Sequence, residues 1–161
     1  VLLHVVRALF LYNILILPVM AETEKHTFHK AERLNSLLLI EKLFSGGSKS
    51  LPAYPLRIVY MPVDGEGYPT ASFLISVPKK RFKRAVKRNR VKRQIREALR
   101  KNKALLTDAL NAKGKKAAIA FIWLDNSLHP SAEVEEKVKR LLQLVAEKFV
   151  MARKNCLLIC C

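Results

Sequence analysis

Cysteine is nearly missing from the part of the chain that could fold around it. Of 161 residues only three are cysteine, and Cys156, Cys160 and Cys161 all fall within the last six positions. A disulfide framework for the core is excluded, which fits a reducing compartment such as the cytoplasm. Cys-x-x-x-Cys-Cys with no histidine nearby is not a zinc spacing. Glycine is also scarce, at five residues. The run SGGS at 45–48 follows a helical pattern rather than a strand and lacks the lysine of a phosphate-binding loop. No Gly-x-Ser-x-Gly elbow occurs. The four histidines, His4, His26, His29 and His129, are scattered through tails and loops without metal spacing, and His26 and His29, in a polar stretch, read as solvated side chains. Acids are short, 13 against 30 Lys and Arg. Asp64 and Glu66 fall in a turn, and Glu133, Glu135 and Glu136 fall where the first turn of a helix favours acids. No catalytic residue and no metal-ligand set is assigned to this chain.

Positive charge is what remains in excess. The net charge is +17 and the isoelectric point about 10.2, a surplus that repels itself unless a polyanion neutralises it. Nucleic acid is the leading partner and an anionic membrane the second. The surplus is concentrated: residues 79–101 hold thirteen Lys or Arg against one acid. A solvated helix face normally mixes signs so that side chains one turn apart can pair. This segment scarcely does, which favours a binding face.

Half of the chain is hydrophobic, enough for one compact domain. Residues 1–19, VLLHVVRALFLYNILILPV, approach the ~20 residues of a membrane helix. They contain His4, Arg7 and Asn13, and they have neither a basic lead-in nor a clear cleavage site. Composition changes abruptly at Met20, which suggests a start assigned too early, and a membrane role is not favoured. The expected division is an apolar extension over 1–20, a folded domain over 21–150 and a tail over 151–161.

Within that domain, residues 30–44 predict a helix with Leu34, Leu37, Leu38 and Leu43 on its apolar side, stopped by Gly46-Gly47. LRIVYM (56–61) and TASFLISV (70–77) predict two strands, joined as a hairpin across the turn DGEGYP. From Arg84 to Lys101 there is no Gly or Pro, and Val91, Ile95, Ala98 and Leu99 fall in one arc of a helix. Asn89, Arg93, Arg96 and Arg100 fall in another. Arg88 projects on the apolar side, from where it can reach back to the preceding loop. A short helix ending at Gly114, a central strand over 117–124 buried on both faces, and an amphipathic helix over 131–149 complete the order α-β-β-α-(α)-β-α. The expected class is a single-domain α/β sandwich with helices against a small sheet.

The segment FKRAVKRNRVKRQIREALR resembles the signature of the bacterial ribonuclease P protein subunit, carried here by Arg88, Asn89, Arg90, Val91, Lys92, Arg93, Gln94, Ile95, Arg96 and Glu97. ISVPKK at 75–80, FHKAERL at 28–34 and IEKLFSGGS at 40–48 are similar to further motifs of that family, in the family's order. The resemblance implies a left-handed β-α-β crossover through the basic helix, against the usual preference. It implies a catalytic RNA as partner, precursor tRNA as substrate and no obligate protein partner. The activity would be endonucleolytic removal of the tRNA 5′ leader, performed by the RNA subunit with Mg²⁺ that the RNA mainly holds. By position, Lys79, Lys80, Arg84, Arg88, Asn89, Arg90, Lys92, Arg93, Arg96 and Arg100 would face RNA. Phe28, Arg33, Ile40 and Phe44 would line a cleft for the single-stranded leader, Ile40 standing where the family has an aromatic residue. From the residues alone, a general basic binder of nucleic acid remains the alternative.

Overall fold

The computed structural model describes residues 27–65 and 67–151. The apolar extension, the Met20 boundary, His4, His26, Glu66 and the three cysteines lie outside the described residues.

A turn of 3-10 helix, Lys30–Glu32, opens the described chain. It is followed by α1 (Leu37–Phe44), β1 (Lys49–Ala53), β2 (Leu56–Val63), β3 (Ala71–Ser76), α2 (Ala85–Asn102), α3 (Ala104–Asn111), β4 (Lys116–Trp123) and α4 (Ser131–Met151). The sheet runs β1-β2-β4-β3. Pairing is antiparallel between β1 and β2 and between β2 and β4, and parallel between β3 and β4.

The alternation of side chains along β4 divides the core in two. Ala117, Ile119, Phe121 and Trp123 face a large cluster that takes Val91, Ile95, Ala98 and Leu99 from α2, Leu106 and Leu110 from α3, and the apolar stripe of α4. Ala118 and Ala120 face a smaller cluster with Val59, Val63, Leu34 and the α1 residues Leu39 and Leu43. The α/β sandwich and the doubly buried strand are as expected.

Three expectations need correction. The strands 56–61 and 70–77 do not form a hairpin, because β4 lies between β2 and β3 and pairs with both. An additional strand, β1, forms the edge beside β2. Its sequence KSLPA has no β-branched residue, and its place comes from backbone pairing with β2. Pro52 lies in it, as suits an edge. The first helix starts at Leu37, not at residue 30, so Leu37 and Leu38 are 74% and 72% exposed, and the buried side is Leu39 and Leu43, one turn apart.

The chain before α1 is held by partners distant in sequence. Leu34 donates its N–H to the Phe73 carbonyl at 3.0 Å, and Arg33 forms a parallel bridge with Phe73 on β3. Glu32 pairs with Lys103 at the α2–α3 junction, both side chains largely buried. Residues 28–34 therefore lie along the β3 edge within reach of α2.

Candidate nucleic-acid interface

α2 presents two unlike sides. Val91, Ile95, Ala98 and Leu99 are fully or almost fully buried, whereas Arg84, Asn89, Arg90, Arg93 and Arg96 are exposed and Lys92 is half-buried. Lys79 and Lys80 are exposed in the turn before the helix. Among the described residues, no carboxylate lies within ion-pair distance of Arg84, Arg90, Lys92, Arg93 or Arg96. Pairing is confined to the C-terminal part of the helix. Arg100 meets Glu97 through two hydrogen bonds, Nη2 to Oε1 at 2.6 Å and Nε to Oε2 at 2.9 Å, and Lys101 meets Glu135 of α4 at 2.9 Å. The Arg100 guanidinium draws the Glu97 carboxyl below its usual range, and Glu97 in turn raises Arg100.

Arg88 is spent internally. Its Nη1 donates to the carbonyls of Phe82 and Lys83, both at 2.7 Å, and so fixes the loop over the buried Phe82. A guanidinium on the apolar side of a helix must find acceptors or stay wet, and two carbonyls of the basic loop supply them.

The cleft residues divide into two groups. Phe28, Arg33, Leu34, Phe73, Leu74 and Arg96 line a cleft of about 150 Å³. The Phe28 and Phe73 rings lie 6.1 Å apart, and the Arg33 guanidinium carbon is 5.8 Å from the centre of the Phe28 ring. Ile40 and Phe44 do not line this cleft. Ile40 packs against the smaller cluster, as Leu74 and Ile122 also do, and Phe44 is 51% exposed at the end of α1. The chain stays non-helical from Arg33 to Ser36, which separates Phe28 and Arg33 from α1.

A second concavity, of about 480 Å³, runs between α2 and the start of α4, lined by Val86, Asn89, Arg90, Arg93, Gln94 and Ser131. Gln94 forms part of its wall, donating from Nε2 to the His129 carbonyl at 3.1 Å and to Ser131 Oγ at 3.0 Å.

Sequence reading missed the loop that supports this wall. His129, which the sequence offers only as a loop histidine without metal spacing, is held between two carboxylates. Its Nε2 lies 2.6 Å from Asp125 and its Nδ1 3.1 Å from Glu133. Asp125 also takes the Asn126 N–H at 2.6 Å and the Ser127 hydroxyl. The hydrogen bonds from Ser127 and His129 hold the Asp125 carboxyl well below the carboxylate range, and Asp125 in turn raises His129. The Trp123 and Tyr54 rings lie edge-on to His129, and the Asp125 carboxylate raises the Tyr54 hydroxyl as well. Arg81 in the basic loop reaches Asn126 at 3.4 Å. The available signal was spacing, since Asp125, His129 and Glu133 stand four residues apart.

Among the described residues, no group of three His, Cys, Asp or Glu side chains could hold a metal ion, and no helix is long and apolar enough to cross a membrane.

The chain's likeness to known proteins agrees with this geometry. The profile of the family described as Ribonuclease P matches residues 28–146. The ribonuclease P protein component of Porphyromonas gingivalis strain W83 is 44% identical over 117 residues, which are 73% of this chain and 85% of that protein. A solved structure of the Staphylococcus aureus RNase P protein superposes with a TM-score of 0.56 at 19% identity, covering 72% of this chain and 96% of that one. The Thermotoga maritima RNase P protein gives a TM-score of 0.52 at 26% identity, covering 70% and 96%. With the family profile spanning residues 28–146, and a relative 44% identical over 73% of this chain, the chain belongs to the ribonuclease P protein family.

Proposed function

We propose that this chain binds a catalytic RNA through the exposed side of α2 and the basic loop before it, and that it receives the single-stranded 5′ leader of precursor tRNA in the cleft beside that helix. The carrying observation is the position of Arg96. It stands on the cationic side of α2 and also lines the cleft with Phe28 and Arg33, so the two surfaces are continuous. Arg90, Arg93 and Arg96 can each engage a phosphate through a planar fork, and Lys79, Lys80, Arg84 and Lys92 add charge. Phe28 gives the cleft an aromatic wall of the kind on which bases stack without regard to sequence. Ile40 and Phe44, on α1, lie outside the cleft and act at most on a longer leader passing over the smaller sheet face.

In this reading the RNA breaks the phosphodiester bond. Mg²⁺, which the family implies, takes hard oxygen ligands. The exposed side of α2 offers one carboxylate, Glu97, already engaged by Arg100. The exposed side of α2 therefore does not fit a protein-held Mg²⁺, and in this reading the ion is held by RNA phosphates. This chain's contribution is to neutralise phosphates and to orient the leader.

Reconstitution tests the proposal. The full chain mixed with a bacterial ribonuclease P RNA is expected to raise 5′ processing of precursor tRNA at low Mg²⁺ above that of the RNA alone, and the chain alone is expected to cleave nothing. No stimulation, or cleavage without RNA, would overturn it.

A further inference from the structure

The groove between α2 and the start of α4 is not needed for a helix that only lies against a phosphate backbone. A flat cationic side would serve that purpose. At about 480 Å³ the groove falls in the size range of small-ligand sites. Its lining is chemically mixed. Arg90 and Arg93 bring cationic planes, and they belong to the part of α2 where pairing with carboxylates stops among the described residues. Asn89 brings an amide that can both donate and accept. Val86 brings apolar surface that is 79% exposed. Beside these, Gln94 of α2 and Ser131 of α4 are joined to each other at 3.0 Å, with Gln94 also bound to the backbone of a loop whose side chains are themselves cross-linked. The wall is therefore fixed before any ligand arrives, which lowers the ordering cost of binding.

We infer that this groove takes one unpaired nucleotide of the partner RNA, with its phosphate on Arg90 and Arg93 and its base between the Asn89 amide and the Val86 side chain. The inference rests on the RNA-binding reading of α2 and deepens it. A pocket of this size excludes a duplex but admits one extruded nucleotide. Unstacked bases are the part of RNA that proteins read through guanidinium planes and amide groups. The bound nucleotide would set the register of the basic helix on its RNA, a task phosphate contacts alone perform poorly because every phosphate is alike.

The test uses the isotopically labelled full chain and backbone amide NMR, titrated separately with adenosine 5′-monophosphate, uridine 5′-monophosphate and inorganic phosphate. The expected result is a saturating shift of the amides of Val86, Asn89, Arg90, Arg93, Gln94 and Ser131, with at least one mononucleotide binding at least about five-fold tighter than phosphate. Equal affinity for phosphate and both mononucleotides would overturn the proposal by making the groove a plain anion site. Shifts confined to other residues would overturn it too. Stimulation of tRNA processing without nucleotide selectivity at the groove would leave the proposed function standing while this inference fell. Selectivity without stimulation would do the reverse.

Discussion

α2 and α4 face the same side of one sheet, and both bury an aliphatic stripe in the larger core cluster. They differ on the side turned to water. α4 carries four acids and four bases, whereas α2 carries the single acid Glu97 and eight bases, of which only Arg88 turns back to the loop. Folding requires only the stripe, which is supplied in both helices by Val, Leu, Ile or Ala at helical spacing. The outer side is thus left for another purpose. On α4 it holds charges of both signs, and on α2 it accumulates positive charge that, among the described residues, carboxylates pair only at the C-terminal part of the helix.

The largest effects should come from what the two helices share. Ile95→Ala in α2 and Leu141→Ala in α4 each remove a fully buried side chain and should each cost about 2–5 kcal/mol of unfolding free energy by denaturant titration. A much smaller loss in α2 would mean that it is not held by the core as α4 is. The next effect should separate the helices. Arg93→Ala with Arg96→Ala should leave the fold intact, weaken RNA binding and reduce the slope of log affinity against log salt by about 1.4–1.8, the change expected when two phosphates are no longer neutralised. Lys139→Ala with Arg140→Ala on α4 should leave that slope unchanged. Equal slopes for the two pairs would abolish the distinction.

A smaller effect belongs to the loop that leads into α4. His129 holds its proton more tightly when folded, chiefly through Asp125. Its stabilising contribution is therefore fully present below about pH 6.5 and is lost as pH rises through the raised folded value. The melting-temperature advantage of the wild type over His129→Gln should shrink from pH 6 to pH 9, and a constant difference would show that the imidazolium is not what the carboxylates hold. Asp125 has the opposite sign, because its carboxyl is drawn down when folded. Its contribution is present at neutral pH and is lost as pH falls below about 3.9 toward the folded value. The smallest effect is that of Glu97→Gln. Removing the one acid from the outer side of α2 should raise RNA affinity by up to about threefold, since an exposed pair competes only weakly with phosphate.

The basic helix was legible residue by residue. Val91, Ile95, Ala98 and Leu99 are the buried set that periodicity assigns, and Arg88, out of phase with both sides, reaches back to the loop as its angle suggests. The stripe of α4 and the central strand were equally plain. The candidate site was legible only in part. Phe28, Arg33 and Arg96 meet in one cleft, but Ile40 and Phe44 do not join them, because Arg33 pairs with β3 and delays the first helix. β1 and the true neighbour of β3 were hidden for a related reason: strand patterns show which face is buried, not which strand lies alongside.

By itself the sequence determined where charge and apolar surface would separate, because helical and strand periods act over a few residues and are written into their order. Only the tertiary structure decided which surfaces would adjoin: β4 between β2 and β3, Glu32 on Lys103, and Arg96 beside Phe28. Those contacts join residues through pairing and packing that no local pattern encodes. They become favourable only when the core forms and excludes water from all of them together.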